Sequence, residues 1–407
     1  MEYTLKQIAW IDVIFAPMHD AASTTVEILV KAGSLYETQT TNGLSHFLEH
    51  MFFKGGKKYH TAKMVVETID AIGGECNAFT GNDYAGYYVK SAPEHVYLSI
   101  DVLSDMMVHA TFPEEEVEKE KGVVIQEINM YLDRPDAQVR KARERNYYGD
   151  NSFGRTILGP EKNIQSFTQS MLFAHKESLY TKKSMTIIIA WKIMDQLRIE
   201  SMIAELFAAL PDHAWGIRPT YSPIHPSNTR DIINQKTNQN HLVYGGPGFG
   251  DGDRYEYAGS LLSLIIGGTM SSRLFQEIRE KRWLCYYIGS SHSVSPDHGT
   301  FKIRAGLSKE NYESGVDAIK EELRKVSRGD ITADELAKAQ SNMLGRVQMG
   351  IETSDEMADF IGSNYLLYKK IETLDQILEN YKQVTLDDIH AACSMVDPDK
   401  LYGCTIM

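Results

Sequence analysis

The run LSHFLEHMFFKGG, residues 44 to 56, sets His46, Glu49 and His50 in an otherwise apolar stretch. On a helix, positions three and four apart project from one face, so two imidazoles and a carboxylate can aim at one point. Imidazoles four residues apart can share one Zn²⁺, and the carboxylate can take a proton from a water that such a metal polarises. H-x-x-E-H is a zinc-peptidase signature, yet a catalytic site needs a third protein ligand, which this run does not hold. A motif this short also arises by chance, and a lone histidine on a helix is more often a packed or surface residue than a ligand.

Length and composition limit where such a helix can sit. A chain of 407 residues exceeds one ordinary hydrophobic core, which predicts two or more domains. With 43% hydrophobic and 24% charged residues, the composition is that of a globular protein. The net charge of −13 argues against nucleic acid or an anionic membrane as a partner and mildly favours neutral or basic substrates. The opening MEYTLKQIAWIDVIFAP lacks the pattern of an export signal, and no run reaches membrane-spanning length. Cys76, Cys285, Cys393 and Cys404 form no C-x-x-C pair and read as free thiols of a reducing compartment, so a cytoplasmic location is expected.

The first half alternates β-rich runs with helical periods. VEILVKAGS (26–34), AGYYVKSA (85–92) and TIIIA (186–190) read as strands. AKMVVETIDAIGG (62–74) and HVYLSIDVLSDMMVHA (95–110) read as helices, and Pro113 followed by Glu114, Glu115 and Glu116 as the first turn of another. Residues 211–231 carry four prolines and no period, and are expected to link an N-terminal domain (1–210) to a C-terminal one (232–407). The second half echoes the first: LSDMMVHATFPEEEVEKEK (103–121) has a counterpart in IKEELRKVSRGDITADELAKAQ (319–340). Thr168 and Thr385, 217 positions apart, are expected N-caps in a second pair. Two copies of one α+β fold follow.

The blocks KAGSLYET, NGLSHFLEHMFFKG, IGGECNAFTG, VVIQEINMYLDRPD, FGRTILGPEKNI and GGTMSSRLFQEIREKRWLCYY stand in the order seen in the M16, or pitrilysin-type, metallopeptidases. Over nearly its whole length the chain resembles the half-length bacterial and processing-peptidase-like members of that family. The resemblance implies two homologous domains, each a mainly antiparallel sheet packed with helices, together forming half of a clamshell chamber. It implies that His46, His50 and Glu127, the last lying 77 residues after His50, bind one Zn²⁺ per chain, with Glu49 as general base. Glu120, seven residues before Glu127 and so on the same helical face, is the family's further important glutamate, expected to orient a ligand or its helix.

The resemblance also implies how substrate is held. Asn77, Ala78 and Phe79 would receive an unfolded peptide as an added β-strand, while Arg279 holds its carbonyls and Tyr286 stabilises the oxyanion. Half-length members pair two subunits; because this chain carries both the zinc motif and the Arg/Tyr pair, a homodimer is favoured over a heterodimer with a second M16-type chain. Two other readings stand beside an endopeptidase of unfolded peptides: a non-catalytic scaffold subunit, and a narrow processor of targeting presequences.

Three of the four tryptophans, Trp10, Trp191 and Trp283, stand where family segments have glycine, and Trp215 adjoins Gly216. A source organism that reads UGA as glycine would leave this pattern once its gene was translated with tryptophan; UGG codons at these positions exclude it.

Overall fold

The computed structural model describes residues 2–192, 195–214, 216–221 and 230–407. Its strands are β1 (Thr4–Ile8), β2 (Ile11–Pro17), β3 (Thr24–Val30), β4 (Glu75–Thr80), β5 (Ala85–Ser91), β6 (Met185–Trp191), β7 (Arg230–Ile233), β8 (Asn240–Gly248), β9 (Cys285–Ser295), β10 (His298–Leu307) and β11 (Tyr402–Ile406). The helices of the first half are α1 (Leu44–Phe52), α2 (Ala62–Asp70), α3 (Val96–Val108), α4 (Glu114–Leu132), α5 (Pro135–Tyr148), α6 (Glu161–Ser166), α7 (Gln169–Leu179) and α8 (Gln196–Leu206). Those of the second are α9 (Glu256–Gly267), α10 (Tyr312–Ser327), α11 (Ala333–Met349), α12 (Ser354–Tyr368), α13 (Leu374–Gln383) and α14 (Leu386–Ala392). Thr168 and Thr385 cap α7 and α14 through their side chains.

Two sheets organise the chain. One runs β1-β2-β6-β3-β5-β4 and the other β7-β11-β8-β10-β9. Without β1 the two orders coincide, and the parallel neighbours, β2 with β6 and β7 with β11, fall at the same place in each. The internal repeat expected from sequence is therefore a repeat of topology.

The division into domains differs from the continuous one expected. One compact unit comprises residues 1–129, 155–219 and 350–371, and the other 130–154, 220–349 and 372–407. The chain does pass from one unit to the other within 211–231, but Trp215 and residues 222–229 of that expected linker lie outside the described residues. Two helices trade places. α12, from the second half, covers the first sheet, with Ala358, Ile361 and Leu366 against Ile14, Leu29 and Ile188. Gly362 permits this approach, since a Cβ there would lie 2.6 Å from the Ile188 side chain. α5, from the first half, covers the second sheet, with Val139, Tyr147 and Tyr148 against Val243, Tyr402, Cys404 and Ile406. Neither helix was among the runs read as helical from the sequence, and an apolar helix face would not say which sheet it meets.

In the first unit the other face of the sheet carries the main core, where Phe47, Leu48, Met51 and Phe52 of α1 are buried with Val65 and Ile69 of α2. In the second unit α9 occupies the chain position of α1, between the third and the edge strand in sheet order. Its sequence EYAGSLLSLIIG holds no histidine.

Two tryptophans adopt the left-handed backbone. β1 and β2 pair Ile8 with Ile11 around the two-residue loop Ala9-Trp10, whose φ values are 48° and 73°. A tight hairpin with both central residues at positive φ strongly prefers glycine at the second. Trp283 has φ 55° and follows a π-helical turn over Phe275–Lys281, the capping position where glycine is the default. Both indoles stand in solvent, 64% and 81% exposed, so little packing offsets the strain. Trp191 differs: it is buried at the end of β6 against Phe15, and its indole N–H has no partner among the described residues. Trp10→Gly and Trp283→Gly should each stabilise the protein by about 1 kcal/mol. Denaturant midpoints measure this, and lower midpoints for both variants would mean that the indoles carry contacts worth more than the strain.

Candidate metal centre

α1 starts without a capping side chain of its own. Its N-cap is Gly43 at φ 100°, a backbone open to glycine, and a Cβ there would lie 2.7 Å from the Leu158 carbonyl oxygen. The cap comes from Glu37, a buried carboxylate seven residues before the helix. Glu37 Oε2 accepts from the Gly43 N–H and from Asn42 Nδ2, each at 2.9 Å, and Oε1 accepts from the Ser45 N–H at 2.7 Å. Burial pushes the Glu37 carboxyl up to about 7 against the opposing pull of these hydrogen bonds, and when ionised it also meets the positive end of the helix dipole.

The block FGRTILGPEKNI secures the same loop. Arg155 Nη1 donates to the Glu37 carbonyl at 2.7 Å, and Asn42 Nδ2 donates to the Thr156 carbonyl at 2.8 Å. Asn163 Nδ2 donates to the carbonyls of Gln39 and Asn42 at 3.0 Å. Ser45 is further tied to His175 Nε2 of α7 at 2.9 Å.

With its apolar face buried, α1 turns His46, Glu49 and His50 toward α4. Val117, Val124 and Ile128 of α4 pack into the same core, which leaves Glu120 and Glu127 on the adjoining stripe. One ligand atom from each of His46, His50 and Glu127 lies within 4.8 Å of the others. Glu127 Oε2 is 3.6 Å from His46 Nε2 and 3.7 Å from His50 Nε2. Tetrahedral Zn²⁺ with bonds of roughly 2.0–2.1 Å spaces its ligands about 3.4 Å apart, so the residues present fit that ion with little movement.

Charged groups close around these three side chains. His50 Nδ1–H donates to Glu120 Oε1 at 2.7 Å, and Lys54 Nζ lies 2.6 Å from Glu120 Oε2. Burial opposes ionisation of Glu120, but His50 and Lys54 outweigh it and hold its pKa below the usual carboxylate range. Burial likewise opposes charge on His50, and its contact with Glu120, with the charges of Glu49 and Glu127, raises its pKa on balance. His46, more deeply buried and beside His50, is pushed down to about 3 and is neutral, the form that ligates a metal. Glu49 is raised, first by burial, although Thr80 Oγ1 donates to its Oε2 at 2.5 Å.

Asn77, Ala78 and Phe79 lie in β4, the edge strand of the first sheet, whose outer side pairs with no strand among the described residues. Arg279 and Tyr286 belong to the second unit. Arg279 lies in the π-helical turn with its guanidinium 4.6 Å from the Phe275 ring centroid, and Tyr286 is 77% exposed on β9, the edge strand of its own sheet. A tyrosine so exposed is not a core residue of its strand.

Sequence reading missed Glu37, Thr80, Lys54 and His175. One signal for Glu37 was present: a helix entered through Gly-Leu-Ser, with no Ser, Thr, Asp or Asn at the N-cap, must find its cap elsewhere.

A chain of two topologically repeated α+β units, with an H-x-x-E-H helix and a distant glutamate in the first alone, has the make-up of a metallopeptidase with one active half. Residues 13–161 match the insulinase family, peptidase family M16, and residues 166–343 match the peptidase M16 inactive domain. The chain belongs to peptidase family M16. It is 35% identical to an uncharacterized zinc protease of Bacillus subtilis, YmxG, over 90% of this chain and 89% of that protein. An uncharacterized zinc protease of Streptomyces coelicolor is 32% identical over 91% of this chain and 81% of its own length. The fold is shared with a protease from Helicobacter pylori (TM-score 0.91, 20% identity, 100% of this chain and 99% of that one). It is shared equally with a peptidase M16 inactive domain from Pseudomonas fluorescens (TM-score 0.91, 18% identity, 100% and 98%).

Two outcomes follow from this geometry. Glu37→Ala strips three donors of their acceptor and should lower Zn²⁺ affinity at least about tenfold in chelator competition; unchanged affinity would show that packing alone places α1. His175 is depressed to about 4 by burial, against about 6.5 when unfolded, so the stability it supports is complete above pH 6.5 and lost as pH falls through 4. The loss should be on the order of 3 kcal/mol, and His175→Gln should flatten that part of the stability–pH curve.

Proposed function

We propose that this protein is a zinc-dependent endopeptidase of unfolded peptides. The observation that carries the reading is the meeting of His46, His50 and Glu127 with the Glu49 carboxylate on the same helix face. His46, His50 and Glu127 would hold one Zn²⁺ per chain, and the ion would act as a Lewis acid on water and on the scissile carbonyl. Glu49 accepts a proton from the attacking water as its oxygen bonds to the carbonyl carbon. It returns that proton to the amide nitrogen as the C–N bond breaks, giving a carboxylic acid and an amine, which then ionise to carboxylate and ammonium. Burial of Glu49 favours this role, because it raises the proton affinity of the carboxylate above the ordinary value. Glu120 and Lys54 orient the His50 ring through its Nδ1.

The open side of β4 would receive the peptide as an additional strand, with main-chain hydrogen bonds at Asn77, Ala78 and Phe79, so selection by side chain is weak. Arg279 and Tyr286 would add contacts to substrate carbonyls and to the oxyanion. We take the working form to be a homodimer enclosing a chamber that admits unfolded chains. Four free thiols suit the reducing cytoplasm.

The test is zinc content and cleavage of an unstructured peptide. Wild type should carry about one zinc per chain and cleave; Glu49→Gln should keep the metal and lose roughly 10²–10⁴-fold in kcat. Glu127→Gln should lose both metal and cleavage. A Glu49→Gln protein as active as wild type, or a wild type that binds zinc without cleaving any unfolded peptide, would remove the proposed role.

A further inference from the structure

We infer that Thr80 is a positioning residue for the Glu49 carboxylate, so that the strand edge offered to substrate and the group that takes the proton are joined by one hydrogen bond. The inference rests on the peptidase reading for its kinetic consequences, but not for its geometry.

Thr80 is the last residue of β4. Side chains alternate along a strand, and β4 sorts accordingly: Cys76 and Ala78 pack against the core that contains α1, whereas Phe79 packs on the α12 side. Thr80 shares the face of Cys76 and Ala78, and from there its Oγ1 donates to Glu49 Oε2 at 2.5 Å. The hydroxyl has one proton to give. Given to Oε2, it fixes the carboxylate plane and leaves Oε1 as the oxygen open to accept a proton from water. A β-branched side chain in a strand has few χ1 choices, so the hydroxyl is held by the backbone that carries it.

That backbone is the edge strand. β4 pairs with β5 on one side, Thr80 opposite Ala85, and with no strand among the described residues on the other. A peptide added along β4 would therefore run toward the residue that holds the base. Strand addition would steady β4, and through Thr80 steady Glu49, while the peptide's own hydrogen bonds form with the main chain. Loss of the hydroxyl should then spare binding and impair turnover.

The experiment compares Thr80→Val, which removes the hydroxyl at similar volume, with Thr80→Ser, which keeps it. Thr80→Val should retain zinc and lower kcat about tenfold, the kinetic equivalent of one hydrogen bond to a charged group, with KM within about twofold of wild type. Thr80→Ser should restore most of kcat. A second readout needs neither metal nor substrate. The infrared difference spectrum of the apoprotein minus Glu49→Gln at alkaline pH isolates the Glu49 carboxylate stretch, which should shift in Thr80→Val and not in Thr80→Ser. Equal kcat in wild type and Thr80→Val, or a carboxylate band unmoved by Thr80→Val, overturns the inference. Zinc-loaded wild type without hydrolysis would instead defeat the peptidase reading, and the infrared comparison would still decide whether Thr80 holds Glu49.

Discussion

Three candidate ligand atoms on two helices, separated by 77 residues of chain, lie within 4.8 Å of one another, and α1 is held there with almost no freedom. Phe47, Leu48, Met51 and Phe52 are fully buried, each worth about 1.5–3 kcal/mol relative to exposure. Rotating the helix to re-aim His46 and His50 would bring these side chains into water. Sliding it along its axis would break the bonds from Gly43 and Ser45 to Glu37. The polar stripe of α1 thus points where the apolar stripe leaves it. α4 is placed by the same logic, since Val117, Val124 and Ile128 fix the face that Glu120 and Glu127 adjoin.

The second unit repeats the strand order without the chemistry, and its polar groups show why. α9 has no histidine, and Glu256 in its first turn is its only carboxylate. α11 begins with acidic residues as α4 does, but Glu335 is bound by Arg273 through Nε at 2.6 Å and Nη2 at 2.8 Å. Arg346 of α11 donates to the Gly268 carbonyl at the end of α9, at 2.8 Å. Where the first unit aims imidazoles and carboxylates at a common point, the second joins the corresponding helices directly. The match of residues 166–343 to an inactive domain agrees with this. Because α5 and α12 are exchanged, a cut at 220 would leave each sheet on a different fragment from the helix that covers its second face.

Local pattern made much of this legible. α2, α3, β5 and β6 fall within a few residues of the runs read as helices and strands, because their periods reflect a single buried face. The H-x-x-E-H helix was legible because its three polar residues interrupt an apolar run at fixed spacing. Glu127 was not legible from α1 at all; only the resemblance tied a glutamate 77 residues away to His50. The exchange of helices was hidden as well. Neither α5 nor α12 was read as a helix, and the continuous domains rested on the proline-rich stretch alone. Glu37 and Thr80 escaped because a single buried carboxylate or hydroxyl has no period.

Three carboxylates surround two imidazoles here, and their surroundings separate them. Glu120 is held ionised against the effect of burial by Lys54 and His50, so it can fix a ring but has little tendency to accept a proton. Glu127 presents Oε2 almost equally to both histidine Nε2 atoms and is the one placed to share a cation with them. Glu49 makes no ion pair with a Lys or Arg among the described residues; it has burial, which raises its proton affinity against the weaker pull of His50, and a neutral hydroxyl, which donates to it without supplying charge. Were Thr80 a lysine, Glu49 would resemble Glu120, held ionised by an ion pair and poorly suited to the proton transfer proposed for it. A neutral donor is thus the kind of partner that the general base proposed here can keep.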